Sequence, residues 1–210
     1  MPECPACQAP QETPLACGAC GALIEVDGEQ DPFATFGLER AWSVDADDLS
    51  KRLLRFGRLV HPDYYAAAGE AARALAERNT ASLNEAHELL ENDFRRADWL
   101  VRALGGPSES DERQMPQAFL MEVLEWNETL DEARGAAAGT PEHDALAELG
   151  TTLDGERADA MQRIGNLLTP LPDAGSATLA ELRRELNAVR YLDRALRELK
   201  ALRLQNAGSR

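Results

Sequence analysis

Leu49, Leu53, Phe56 and Val60 follow one another at spacings of four, three and four residues, and a helical period returns in the long segments that follow. Stripes of this kind are buried by packing helix against helix. Composition agrees, since Leu and Ala dominate while aromatic residues make up only 5%, a balance that suits helices better than sheet. The fold class expected is therefore all-α.

Punctuation along the chain divides it. Asp31 before Pro32 reads as an N-cap followed by proline at the first helical position, with Gly37 ending a short helix that carries Phe33 and Phe36. Asp45 can cap the helix bearing the opening stripe. After a Gly69-containing loop, a helix over about 70–91 presents Ala72, Leu75, Leu83, Ala86 and Leu90, so the two helices are expected to form an antiparallel hairpin. A further helix around Arg96–Leu104 ends at Gly105-Gly106-Pro107, and a polar linker leads to three more helical patterns over about 116–137, 141–168 and 178–205. Short connections make these a three-helix bundle. The expected domains are a metal-binding module (1–28), a hairpin domain (29–105), a linker (106–115) and the bundle (116–206).

All four cysteines lie in the first 20 residues, as Cys4 and Cys7, then Cys17 and Cys20, with nine residues between the pairs. The segment has no helical period, so its order must come from something other than an apolar core. Each CxxC turn can aim two thiolates at one ion, and two turns together give the tetrahedral sulfur shell of a closed structural zinc site. Gly18 and Gly21 suit the tight backbone of the second turn. Iron or a small iron–sulfur cluster accepts the same ligands. A catalytic metal is disfavoured, because four sulfur ligands leave no open position.

The net charge of −15 would repel nucleic acid and anionic lipid. No apolar run reaches the roughly 18–20 residues that cross a bilayer, and the first residues lack the basic and apolar regions of a signal peptide. A cytoplasmic protein without nucleic-acid or membrane partners is expected. There is no Gly-rich phosphate loop and no nucleophile with a recognisable base, so an enzyme is not. Against that acidic background Lys51, Arg52, Arg55 and Arg58 form a compact basic face opposite the stripe, just before His61-Pro62-Asp63. His87 and His143 have no neighbouring ligand set, and Trp42, Trp99 and Trp126 read as packing residues.

An amphipathic helix with a basic face, an HPD turn and a second long helix resemble the J-domain family. Asp31-Pro-Phe-Ala-Thr-Phe-Gly-Leu38 is similar to that family's opening helix, and Ser82-Leu-Asn-Glu-Ala86 to its third-helix motif. Arg96-Ala-Asp-Trp-Leu100, Phe119-Leu-Met-Glu122, Leu130-Asp-Glu132 and Tyr191-Leu-Asp-Arg194 resemble the HscB-type branch, some members of which begin with a tetracysteine module. The resemblance runs from residue 1 to about residue 204. It implies a J-domain helical hairpin plus a C-terminal three-helix bundle, preceded by a small zinc-ribbon-like module. It also implies a co-chaperone of iron–sulfur cluster assembly that stimulates an Hsp70-class chaperone (HscA/DnaK type) and delivers an IscU-type scaffold protein.

On this resemblance Lys51, Arg52, Arg55, Arg58, His61, Pro62 and Asp63 meet the chaperone, while Leu120, Met121, Leu124, Glu125, Glu128, Glu132 and Tyr191 meet the scaffold. Cys4, Cys7, Cys17 and Cys20 hold a structural zinc, and a weak homodimer is compatible with the pattern. The match departs at Tyr64 and Tyr65, where family members often carry Lys. Two alternatives stand beside it. A general J-protein for unfolded clients would share the HPD turn, and a zinc-ribbon adaptor would share the cysteines, although residues 1–39 contain no Lys or Arg for a phosphate patch. From pattern alone, Leu120 and Leu124 read more readily as bundle core and the glutamates as a solvated face, with Met121 the residue most readily placed outside.

Overall fold

The computed structural model describes residues 3–26, 28–134 and 140–208. Its elements are helices α1 (Pro32–Thr35), α2 (Ala46–Val60), α3 (Glu70–Glu91), α4 (Asp93–Ala103), α5 (Gln117–Glu132), α6 (Pro141–Leu167) and α7 (Ala177–Gly208), with a 3-10 segment, Pro62–Ala68, between α2 and α3. Among the described residues the only β structure is two isolated bridges, Glu3 with Pro10 and Ala16 with Leu23. Residues 135–137 of the expected bundle helix and the side chain of His143 lie outside the described residues. The chain divides into two compact units, Met1–Arg96 and Ala97–Arg210, and the division falls inside α4.

In the first unit the caps act as the sequence implies. The Asp31 carboxylate accepts from the N–H groups of Phe33 and Ala34, and that of Asp45 from Asp47 and Asp48. Leu49, Phe56 and Val60 of α2 are buried and Leu53 is half-buried. Val60 lies beside Thr80, and Phe56 and His87 both flank Phe36, so α2 and α3 run antiparallel. On α3 the buried stripe is Ala76, Asn79, Leu83, Ala86 and Leu90, shifted from the Ala72–Leu75 start read from the sequence. Both of those residues are only half-buried, and the stripe admits a polar residue, Asn79, whose partners are backbone carbonyls of the cysteine module.

In the second unit α6 and α7 are antiparallel, tied by Arg157 to Asp193 (2.6 Å) and Arg163 to Glu185 (3.1 Å). Phe119, Trp126 and Leu130 of α5 join Leu146, Leu149 and Leu153 of α6 and Leu192, Leu199 and Leu202 of α7 in one core. At the base of the bundle Arg183 is 1% exposed, bonding Asp98 at 2.5 Å and the Pro107 carbonyl at 2.8 Å. The tryptophans pack as expected: Trp99 and Trp126 are buried, and the Arg96 guanidinium lies 4.8 Å over the Trp42 ring.

Candidate functional site

The two CxxC turns are built alike. In the first, Cys4 N–H donates to Ala9 O and Gln8 N–H to Cys4 O; in the second, Cys17 N–H donates to Ala22 O and Gly21 N–H to Cys17 O. The residue closing each turn is left-handed, Gln8 at φ 61° and Gly21 at φ 72°. Gly21 does the work foreseen for it, and the first turn does the same with glutamine.

The turns converge. Cys4 Sγ is 3.8 Å from Cys20 Sγ and Cys7 Sγ is 3.7 Å from Cys17 Sγ, and all four sulfurs lie within 4.8 Å of one another. These separations are far beyond a disulfide bond of about 2.05 Å. They match instead the edge of about 3.8 Å in a tetrahedron with metal–sulfur bonds of about 2.3 Å, so the cluster has the dimensions of a mononuclear tetrahedral site.

Acidity in the cluster is divided unevenly. Burial, the largest single influence on Cys4, opposes ionisation, yet the Ala6 and Cys7 N–H groups and the Cys17 and Cys7 thiols donate to its sulfur and bring it down to about 6. At Cys7 the Ala9 N–H favours the thiolate, but Cys20, burial, Cys17 and Cys4 outweigh it and push the group up to about 12. The Cys4 thiolate therefore forms readily while that of Cys7 is resisted, and a bound cation would favour both as thiolates.

The HPD turn follows directly on α2. Asp63 N–H donates to His61 Nδ1 at 3.2 Å, an arrangement that suits the tautomer with its ring proton on Nε2. With Nδ1 accepting, the Asp63 carboxylate 3.7 Å away is a neighbour rather than an ion-pair partner. His61 and Asp63 are both exposed, and the 3-10 segment contributes no buried residue. Leu53, Leu54, Gly57, Arg58, His61, Asp63, Tyr64, Thr80 and Asn84 line an open groove of about 470 Å³, with Leu54 68% and Tyr64 71% exposed.

The four basic residues of α2 divide. Lys51 and Arg58 face solvent. Arg52 bonds Asp48 at 2.7 Å and the Phe36 carbonyl at 3.0 Å, and Arg55 pairs with Glu12 of the cysteine module at 3.3 Å. Tyr65 departs from solvent as well: its hydroxyl donates towards Leu59 O at 2.7 Å and Gly21 O at 2.9 Å. Burial, with the Cys20 charge adding to it, pushes the phenol up and keeps it a donor. Tyr65, Asn79, Thr80 and Leu54 do not stand out as site residues in the sequence, although the two tyrosines mark a departure from the family pattern.

On α5, Leu120 (46%), Met121 (67%) and Leu124 (61%) are exposed together, and Glu125, Glu128 and Glu132 are exposed beside them. The core side of this helix is taken by Phe119, Trp126 and Leu130, so the leucines belong to the outer face. Tyr191 of α7 is half-buried. Its ring meets Phe119 edge-on at 5.9 Å and its hydroxyl accepts from Asn127 Nδ2 at 3.2 Å, which brings it to the same side of α5 as Leu120 and Leu124.

The family profile described as the HSCB C-terminal oligomerisation domain matches residues 115–200. A Chromobacterium violaceum protein named co-chaperone protein HscB homolog is 35% identical over 134 residues, which cover 63% of this chain and 73% of that protein. A Bordetella petrii protein of the same name is 34% identical over 148 residues, covering 70% and 84%. The chain belongs to the HscB co-chaperone family. Its fold is shared with the crystal structure of human co-chaperone protein HscB (TM-score 0.74, 24% identity, 95% of this chain and 98% of that one). It is shared also with the chaperone HscB from Vibrio cholerae (TM-score 0.67, 21% identity, 84% and 99%).

Proposed function

We propose that the chain is a co-chaperone of iron–sulfur cluster assembly. Its HPD turn stimulates the ATPase of an Hsp70-class chaperone, and its bundle delivers an IscU-type scaffold protein. The observation that carries this is the exposed His61-Pro62-Asp63 turn at the end of α2, in a chain of the HscB family, beside a groove lined by Leu53, Leu54 and Tyr64 together with Arg58. The division of labour follows the expected domains, with 29–105 as the J-domain, 106–115 as linker and 116–206 as the scaffold-binding bundle.

Lys51 and Arg58, free of ion pairs among the described residues, would steer the turn onto an acidic surface and fix its orientation. Arg52 and Arg55 add to the same field from ties to their own chain. The His61 Nε2–H and the Asp63 carboxylate face outward, and they act by binding one state of the chaperone better than another. The chemistry of hydrolysis belongs to the partner, so this chain is not itself an enzyme. Leu120, Met121 and Leu124, flanked by Glu125, Glu128 and Glu132 and by Tyr191, have the apolar centre and charged rim of a transient protein interface. In the 1–28 module, Cys4, Cys7, Cys17 and Cys20 hold a structural zinc, a reading supported by the sulfur spacing. The protein works in the cytoplasm without nucleic-acid or membrane partners; no described helix is long and apolar enough to cross a membrane. A weak homodimer is compatible with the match to an oligomerisation domain.

The test is steady-state ATP hydrolysis by an Hsp70-class chaperone with this protein, with and without an IscU-type scaffold. Stimulation by each and synergy between them are expected. His61→Gln should return the rate to background, as should His61→Asn, whose Oδ1 can keep the Asp63 cap but which has no group in the place of Nε2. Full stimulation by both variants would refute the turn's role. Met121→Ala with Leu124→Ala should abolish the synergy while leaving scaffold-free stimulation intact. Synergy that survives, or that an unfolded peptide reproduces equally well, would favour a general J-protein.

A further inference from the structure

We infer that Tyr65 and Asn79 are positioning residues which lock the His61-Pro62-Asp63 turn to the four-cysteine module, so that the turn keeps its shape only while the module is closed around its ion. The inference rests on the chaperone-activating role proposed above.

The turn packs against α3 but buries no side chain there, so polar ties decide how firmly its shape is fixed. It contributes no side chain to the core, and it follows the end of α2, where the last carbonyls have no partner within the helix. Two side chains supply them: Tyr65 to Leu59 O at 2.7 Å and Thr80 Oγ1 to Val60 O at 3.0 Å. The Tyr65 proton is shared with Gly21 O at 2.9 Å. Gly21 directly follows Cys20, and its own N–H closes the second CxxC turn on Cys17 O. The Gly21 carbonyl is therefore in place only when that turn is formed.

Asn79 makes the second tie. It is 4% exposed, and its amide donates both protons to the module, to Leu15 O at 2.7 Å and Ile24 O at 3.0 Å. Those carbonyls bracket the Ala16–Leu23 bridge that frames Cys17 and Cys20. Thr80, next along α3, holds the base of the HPD turn, so adjacent residues of one helix grip the module and the turn. The ion pairs Arg55–Glu12 and Arg78–Glu25 lie at the same junction, but they are exposed and add little. A module of this size without helix or sheet depends on its ion for order, and both ties end on its backbone.

Amide hydrogen exchange of the full chain tests this without any partner. The zinc-loaded wild type, the same protein after chelation, and Tyr65→Phe loaded and chelated make a thermodynamic cycle. A single hydrogen bond of this kind changes local opening by about two- to tenfold. The peptide covering Val60–Ala68 should exchange faster by that factor in zinc-loaded Tyr65→Phe. Chelation should accelerate it in wild type and add less in the variant, where only the Asn79 tie is left to release. Unchanged exchange in zinc-loaded Tyr65→Phe, or an equal effect of chelation in both proteins, overturns the inference. Asn79→Ala, loaded with zinc, should accelerate exchange over the second CxxC turn as well as over the HPD peptide; a response confined to the module overturns the coupling. If the wild type fails to stimulate a chaperone, the proposed function falls, yet the exchange cycle still decides the coupling. If it does stimulate, zinc-loaded Tyr65→Phe should lose about two- to fivefold of that stimulation with His61 and Asp63 intact.

Discussion

Gly37 shows how much one missing side chain can decide. Its φ is +63°, and a Cβ placed on it would lie 2.4 Å from the Glu12 carbonyl oxygen of the cysteine module. The backbone there is hemmed in from the other side as well, since Arg52 Nη1 donates to the Phe36 and Gly37 carbonyls. The Glu12 carbonyl is backbone and cannot give way without shifting main chain, whereas Arg52 Nη1, 3.5 Å away, is in ordinary contact. Gly37→Ala should therefore cost the first unit about 2–3 kcal/mol, from the left-handed conformation and the clash together. Gly57 is the internal control: it lies inside α2, and apart from its chain neighbours and its own helix backbone nothing lies within 4 Å of where a methyl group would sit, so Gly57→Ala should stabilise by about 0.5–1 kcal/mol. Thermal unfolding of the metal-loaded chain reads both. Equal shifts in the same direction would show that the contact with Glu12 does not form.

At the scale of elements, α7 carries a buried arginine. Arg183 bonds Asp98 and Pro107 O while its Nη2 is buried without a hydrogen-bond partner among the described residues. Removing one member of such a pair strands the other, and the usual cost is about 3–5 kcal/mol. Asp98 keeps Arg102 at 3.4 Å and Arg190 at 3.6 Å, so Arg183→Ala should fall near the lower end, about 3 kcal/mol. In a double-mutant cycle with Asp98→Ala by chemical denaturation, the coupling should be at least about 1 kcal/mol; strict additivity would mean that the pair carries no interaction of its own. The helices themselves were legible, because caps at Asp31 and Asp45 and the α2 stripe are local signals. Asn79 and Arg183 were not, because a polar residue in a helical pattern reads as solvent-facing until its distant partner is known. Asn79 carried a faint signal, occupying a position in the Ala76–Leu83 register where an apolar residue would be expected. The exposed Leu120 and Leu124 illustrate the opposite case: the period alone favours the core for them, and Phe119, Trp126 and Leu130 fill that core instead.

For the molecule as a whole, the cysteine distribution predicts that metal and acid act on one unit and spare the other. All four thiols belong to Met1–Arg96, and none to Ala97–Arg210. Metal-bound thiolates carry fewer protons than the unfolded chain, whose cysteines titrate near about 8.5, so the loaded form gains stability as pH rises and loses it as pH falls. Without metal the signs separate. Cys4, drawn down to about 6, contributes stability that is present above the unfolded value and is lost as pH falls through about 6. Cys7, pushed up to about 12, favours the protonated form throughout the physiological range, and so opposes the second ionisation until a cation is supplied. Zinc content should therefore fall between about pH 7 and about pH 5, with the unfolding transition of the first unit falling alongside it. Chelation near neutral pH should reproduce the acid effect on that transition and leave the transition of the second unit in place. Calorimetry with parallel metal analysis checks this, and a single transition indifferent to chelator would show that no ion supports the four-sulfur module. Because the HPD turn is tied to that module through Tyr65 and Asn79, the same titration should be visible in chaperone stimulation, where loss of zinc should weaken activation before the C-terminal bundle changes at all.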